Sequence, residues 1–332
     1  MAPVRKQAFA PAAAAAVLYL GLAWLRQAGF IGIYWGQIMD LALITTIQAV
    51  GLSLIYGFAG QFSLGHAAFY GLGAYVAAFV TRAFGGNTLT FALALAAGAA
   101  TAGLVALLIG LPILRLRSDY LGIATLGFGI IVKVLLDNAD KLSPVLGGAR
   151  GMAGIPRLTT FHWVFWLAVL SVWLARNLVR SSHGRSCIAV REDEVAADIM
   201  GLDTTQFKTL AFVVGCAMAG LAGGLYAHLY SFLHPSSFDF LKSFDVLLVV
   251  VLGGLGSLTG TVVTAIGWVF LLEALRGVLG QQFLDWRGVV YALVLIVLMI
   301  LRPQGLMGGR EISLDGVLGR AAARGGAGRG AA

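Results

Sequence analysis

The sequence predicts an all-α integral membrane protein of about ten transmembrane helices. Three observations carry that expectation. Hydrophobic residues make up 59% of the 332 positions and charged residues only 11%. Mean hydropathy is +0.88, far above that of soluble globular domains. Apolar runs near the length of about 20 residues needed to cross a bilayer recur along the chain, with Lys and Arg gathered in alternate connections.

The expected spans are, in order, Pro11 to Ile31, Gln37 to Tyr56, Phe62 to Thr81, Leu89 to Leu111 and Tyr120 to Leu136, then Phe161 to Val179, Thr209 to Leu233, Ser243 to Leu258, Gly260 to Leu275 and Gly288 to Leu301. The first follows Arg5 and Lys6 as a signal peptide would, but it is long enough to span and reads as a retained helix. With a cytoplasmic N-terminus, alternation puts Arg115 and Arg117, Arg176 to Lys208, and Arg302 to Arg329 on the cytoplasmic side, where basic residues are favoured. Both termini are then cytoplasmic. Trp35, Trp163, Trp166, Trp286 and Tyr291 fall near span ends, the level that amphipathic rings prefer. Residues 1–308 form a single membrane domain with a hydrophilic loop at about 180–208, and the glycine- and arginine-rich 309–332 is expected to be a disordered cytoplasmic tail.

The net charge of +8 is distributed over these connections and the tail, which fits membrane topology better than nucleic-acid binding. Cys187 and Cys216 provide neither a disulfide framework nor metal-ligand spacing. No cluster of His, Asp, Glu or Cys forms a reactive site, so the chain is not expected to be an enzyme or to bind a cofactor or metal. Asp40, Lys133 and Glu273 lie within or near span ends, with Arg26, His66 and His228 as further polar groups, and they form no obvious proton or sodium relay. A phosphate-binding Gly-x-x-x-x-Gly-Lys-Ser/Thr loop is also missing, so any ATP must be bound by another chain.

Two segments interrupt the apolar pattern. Gly60-Gln61-Phe62-Ser63-Leu64-Gly65-His66 breaks the run from Ile55 to Phe79, and Gly254 to Gly260, "GLGSLTG", echoes it, giving two weakly related halves. Non-helical backbone at membrane depth persists only where protein or water satisfies it, and the alternative is a tight surface turn. The predicted topology places both breaks near the cytoplasmic mouth. Gly60, Ser63, Gly65, His66, Gly254, Gly256, Ser257 and Gly260 are therefore candidates for a translocation path or gate. Other glycines, such as Gly71 and Gly73, Gly122, Gly127 and Gly129, and Gly220 and Gly224, have the spacing of close helix packing.

In the hydrophilic loop, Asp193 is placed to cap a short helix rich in acids at its start, with Val195, Ala196, Ile199 and Met200 on one face and Gly201 to end it. Such a helix suits insertion into a partner's groove, or packing on its own protein.

The motifs "GLSLIYGFAGQFSLGHAAFYGLGAYVAA" (51–78), "SDYLGIATLGFG" (118–129), "GRSCIAVREDEVAADIMGLDTTQFKTLAF" (184–212), "AGLAGGLYA" (219–227), "VLGGLGSLTGTVVTA" (251–265) and "LRPQGLMG" (301–308) occur in this order. Together they resemble the LivM-type permeases of bacterial branched-chain amino acid ABC importers. The resemblance implies an importer permease fold in the cytoplasmic (inner) membrane. It also implies a LivH-type sibling permease, two cytoplasmic ATP-binding subunits that use ATP and Mg, and an extracytoplasmic substrate-binding protein. It further implies that the loop is an ATPase-coupling segment comprising Arg191, Glu192, Asp193, Glu194, Ala196, Ala197 and Gly201. The family's Ala-Ala-x-x-x-Gly falls on Ala196, Ala197 and Gly201. Val195 is inserted after Glu194 and the downstream Leu-Pro is missing, which leaves the role of the pattern's carboxylate open among Glu192, Asp193 and Glu194. A urea or short-amide importer of the same family and a stand-alone secondary transporter remain alternatives.

Overall fold

A computed structural model describes residues 4–114 and 118–279 together with scattered positions between 286 and 311. The chain divides into two compact units. One holds residues 1–36, whose described part is helix α1 (Val4–Gln27) and the start of α2 (Ile33–Leu52). The other, Gln37–Gly309, holds everything discussed below.

Helix α2 widens in its final turn, Ser53–Phe58, into a π-helix. After an irregular stretch come α3 (His66–Phe84), α4 (Thr88–Ile113), α5 (Ser118–Asp137) and α6 (Phe161–Arg180). Two short helices, α7 (Ser182–Glu192) and α8 (Glu194–Ile199), precede α9 (Thr204–Tyr230), and α10 (Phe240–Gly253) and α11 (Leu258–Leu279) complete the described helices. Two-residue strands β1 (Met152–Ala153) and β2 (Phe232–Leu233) pair antiparallel, Met152 opposite Leu233, and join the α5–α6 and α9–α10 connections.

Among the described residues seven helices are long and apolar enough to cross a membrane: Ile33–Phe58, His66–Phe84, Thr88–Ile113, Tyr120–Asp137, Phe161–Arg180, Thr204–Tyr230 and Leu258–Gly277. These match seven of the ten expected spans. The expected span Ser243 to Leu258 is corrected to α10, whose 14 residues extend only about 21 Å, short of a hydrocarbon core of about 30 Å. Its helix stops at Gly253 because Gly254, at φ +106°, turns the chain. The third span starts at His66 rather than Phe62, since Gly60 at φ +69° reverses the chain and residues 61–65 stay out of the helix. The first expected span falls on α1, whose side chains before residue 13 lie outside the described residues, as do most of Gly288 to Leu301, Arg115 to Arg117 and the tail from residue 309 apart from Glu311.

The degree of burial sorts the helices. The α2 span is 83% buried and the α6 span only 28%. Leu104 and Leu108 of α4, Ile130 and Ile131 of α5 and Trp173 of α6 face outward, as side chains in contact with lipid do.

Helices α3, α4 and α9 form the centre, and glycines set their spacing. Lipid tails are as apolar as leucine, so helices in a bilayer associate through close packing rather than hydrophobic exclusion. A methyl on Gly223 would overlap the Tyr70 carbonyl oxygen, and one on Gly73 would overlap the backbone of Gly220. A Cβ at Gly98 would lie 2.7 Å from the Gly73 carbonyl oxygen. Toward the far end of this trio, His228 Nδ1 donates to the Gly224 carbonyl at 2.7 Å. Its Nε2 lies within hydrogen-bond distance of Thr81 Oγ1 at 2.9 Å, while the ring of Phe91 meets it edge-on at 4.9 Å. Both ring nitrogens of this buried histidine have hydrogen-bond partners.

Gly223→Ala is expected to lower the stability of the detergent-solubilised protein by roughly 1–3 kcal/mol through overpacking. Gly267→Ala, with open space around its site, should be neutral or stabilising. Thermal unfolding followed by light scattering and tryptophan fluorescence checks the pair, and equal midpoints would contradict glycine-limited packing.

Candidate functional site

The hydrophilic loop folds because its sequence supplies a cap at each change of direction. Ser181 accepts the Gly184 amide at 3.2 Å and starts α7. Asp193 ends α7 and starts α8, its Oδ1 accepting the Ala196 amide at 3.0 Å. At the other end Gly201, at φ +82°, donates to the Asp198 carbonyl (2.9 Å) and Leu202 donates to that of Ala197 (3.1 Å). That paired pattern is a Schellman motif, which needs a left-handed residue after the helix.

The three acidic residues have separate tasks. Asp193 is the cap. Glu194 pairs with Lys208 in the first turns of α9 at 2.5 Å, and Glu192 pairs with Arg191. Ala197 is buried, whereas Val195, Ile199 and Met200 are 69%, 80% and 82% exposed. A six-residue helix, capped at both ends and tied to a membrane helix, thus presents an apolar surface outward. On α7, Cys187 is buried against Ala59 and Ala211, and its Sγ lies 3.5 Å from the Phe207 carbonyl. Burial pushes this thiol up to about 11, so it packs rather than reacts.

The two sequence breaks meet beside this loop. At the end of α2, Ala59 donates to Leu54 O and Gln61 to Ile55 O, leaving later carbonyls to find other donors. Arg191 Nη1 donates to the Gly57 carbonyl at 2.5 Å, and the Arg191 stem lies so close to Gly60 that a Cβ there would be 2.7 Å from its Cγ. At the end of α10, Leu306 and Met307 donate to the carbonyls of Leu252 (2.8 Å) and Gly253 (3.3 Å). Gly57 and Gly256 then face one another, a Cβ on Gly57 falling 3.1 Å from the Gly256 nitrogen. Thr261 donates to Ser53 Oγ at 3.4 Å across the same seam.

Gly60 and Gly254, each three residues before a serine, both have positive φ, but the serines differ. Ser257 caps α11 by accepting the Gly260 amide at 3.1 Å. Ser63 Oγ is buried without a hydrogen-bond partner among the described residues, as is the Gln61 amide. His66 Nε2 donates to the Gln48 carbonyl at 3.1 Å. Leu64 donates to Thr125 Oγ1 at 3.1 Å, and Gly65 packs against the Thr125 carbonyl of α5.

These residues reach different depths. Thr81 with His228, Ala77 with Gly224 and Gly73 with Gly220 all meet at an offset of 147 residues. At that offset His66 is level with Val213, nine residues or about 13 Å along α9 from Thr204. Gly60 therefore lies at the α7 end of the bundle, while Ser63, Gly65 and His66 climb from it into the protein interior. Ser63 and His66 are each 1% exposed, so in this conformation neither borders an open path. Sequence reasoning missed Thr125, Ser53 and Thr261, and it missed Arg191 as a helix-capping group. Thr125 could have been found between Gly122 and Gly129 on α5, but no local signal joins Arg191 to Gly57.

The arrangement is that of a helical membrane protein in which two interrupted helices meet beside a capped hydrophilic loop. Among the described residues no set of three or more His, Cys, Asp or Glu side chains comes together for a metal. Residues 34–299 match the family described as "Branched-chain amino acid transport system / permease component", and the chain belongs to that family. It is 34% identical over 328 residues to the high-affinity branched-chain amino acid transport system permease protein LivM of Escherichia coli K12, covering 88% of this chain and 73% of that protein. The Salmonella typhimurium LivM is 33% identical with the same coverage, and its LivH is 27% identical over 286 residues, 80% of this chain and 91% of LivH. No solved structure matches.

Asp193→Ala removes the cap of α8, at a cost of about 1 kcal/mol, which should raise amide exchange over residues 196–199 roughly fivefold. Unchanged exchange would show that the helix does not depend on its cap.

Proposed function

We propose that this chain is the translocation subunit of an ATP-driven, binding-protein-dependent importer for branched-chain aliphatic amino acids, lying in the cytoplasmic membrane with both termini inside. A LivH-type sibling permease completes the path. Two ATP-binding subunits, which bind ATP and Mg, dock on the cytoplasmic face, and an extracytoplasmic binding protein delivers the substrate. Family membership and the similarity to LivM and LivH support this assignment.

The observation that carries the coupling role is the exposed face of Val195, Ile199 and Met200 on a helix whose ends are fixed. An exposed apolar surface on a capped helix in a hydrophilic loop fits a groove on a cytoplasmic partner. Arg191, Glu192, Asp193, Glu194, Ala196, Ala197 and Gly201 build and anchor that surface. ATP-dependent closure of the ATPases moves it, and rigid-body shifts alternate access to the path. Gly60, Gly65, Gly254, Gly256 and Gly260, with Ser63, His66 and Ser257, form the flexible region that changes between states.

In proteoliposomes holding the four-part complex, leucine, isoleucine or valine uptake should require ATP on the ATPase side and the cognate binding protein. Gradient-driven uptake by this chain alone, or uptake of urea in place of these amino acids, would contradict the assignment. Met200→Glu should weaken retention of the ATPase subunits roughly thirtyfold or more, the effect of losing an apolar anchor at an interface. Binding at wild-type strength would place the docking surface elsewhere.

A further inference from the structure

We infer that Arg191 is the positioning residue that links the docking helices to both interrupted membrane helices, and that importer coupling passes through its contact with the Gly57 carbonyl. This rests on the functional reading above and adds a specific link to it.

The argument starts from an orphan acceptor. The π-turned end of α2 leaves Gly57 O without an intrahelical donor, and a carbonyl at a helix C-terminus also carries the negative end of the helix dipole. A guanidinium satisfies both demands at once, since it donates a charge-assisted hydrogen bond and is never deprotonated. Arg191 supplies it from 134 residues away, and its own position is held by the last turn of α7 and by the Glu192 carboxylate on its Nε and Nη2.

Three glycines meet this one side chain. Its stem fills the space over Gly60, its Nη1 would lie 3.0 Å from a Cβ on Gly256, and its hydrogen bond ends on Gly57. Gly60 belongs to the first break and Gly256 to the second, so a single side chain reaches both, by its stem and by its guanidinium. The stem of Arg191 emerges from α7 one residue before Glu192 and three before the start of the exposed α8 surface at Glu194. A shift of α8 driven by the ATPases therefore cannot leave Gly57 and Gly256 in place unless the guanidinium contact breaks. The second break has its own independent cap in the amides of Leu306 and Met307, so it can follow the first without losing its helix end.

A purely structural surface arginine would give no such pattern. Its charge would be solvated, and its removal would change stability slightly and leave import per ATP hydrolysed unaltered. A linking role changes that ratio.

The test uses the complete importer in proteoliposomes, measuring leucine imported and ATP hydrolysed in the same sample. Arg191→Ala is expected to assemble and hydrolyse ATP while import per ATP falls roughly tenfold, the scale of a typical coupling free energy. Arg191→Lys, which keeps the charge but lacks the fork, should recover only part of the loss. A ratio equal to wild type in Arg191→Ala would overturn the inference. Should Arg191→Ala fail to assemble, the lysine variant decides, since full coupling there would equally overturn the need for the fork. If the wild-type complex imports no branched-chain amino acid, the functional reading fails. If it imports and the variants stay fully coupled, only the link through Arg191 fails.

Discussion

The last carbonyl oxygens of a helix have no donors within it, and leaving such a group buried and bare is costly. Among the described residues, α2 and α10 end side by side next to the hydrophilic loop, and the joints of the structure follow from how those ends are satisfied. The end of α2 borrows a guanidinium from the hydrophilic loop, and the end of α10 borrows two backbone amides from the turn at 304–308. Glycine is required where these donors arrive, because any side chain at Gly60 would occupy the place of the Arg191 stem. The start of α3 is displaced into the interior as a consequence, with Leu64 held by Thr125 of a neighbouring helix.

Around these joints the protein is built differently. Helices α3, α4 and α9 are locked by backbone contacts at Gly73, Gly98, Gly220 and Gly223, and closed further along by the Thr81–His228–Gly224 chain. Such packing has two arrangements, intact or broken, and does not deform gradually. The breaks are held instead by a few hydrogen bonds at exchangeable ends, and the Ser63 hydroxyl and the Gln61 side-chain amide lie among them without partners among the described residues. A permease needs this division, with a rigid body to carry motion and a small set of joints to absorb it. The capped α8, with Val195, Ile199 and Met200 outward, is tied to α9 of the trio by Glu194 and Lys208 and follows α7, whose Arg191 reaches the joints.

Local chemistry made much of this legible. Seven spans followed from apolar length, and the loop helix followed from Asp193, its apolar face and Gly201, because caps act within a few residues. The six ordered motifs carried the family. The length of α10 was misread because an apolar run through Val249 to Leu258 does not reveal that Gly254 turns left-handed. Ser63 and His66 read as groups near a cytoplasmic mouth, yet they lie buried about a third of the way into the bundle, since spacing along the chain does not reveal a rise through 61–65 against α5. Arg191 belonged to the loop by sequence, but its task depends on a contact between residues 134 apart, beyond the reach of any local pattern.

The central claim is that the docking helices and the two breaks move as one unit. Hydrogen exchange of residues 57–66 and 252–261 in the assembled importer, compared with and without a non-hydrolysable ATP analogue, tests it most directly. The account predicts that both segments change protection together on nucleotide binding while the amides of 70–80 and 218–228 stay protected. Closure of the ATPases with no change in either break, or a change in one alone, would contradict it.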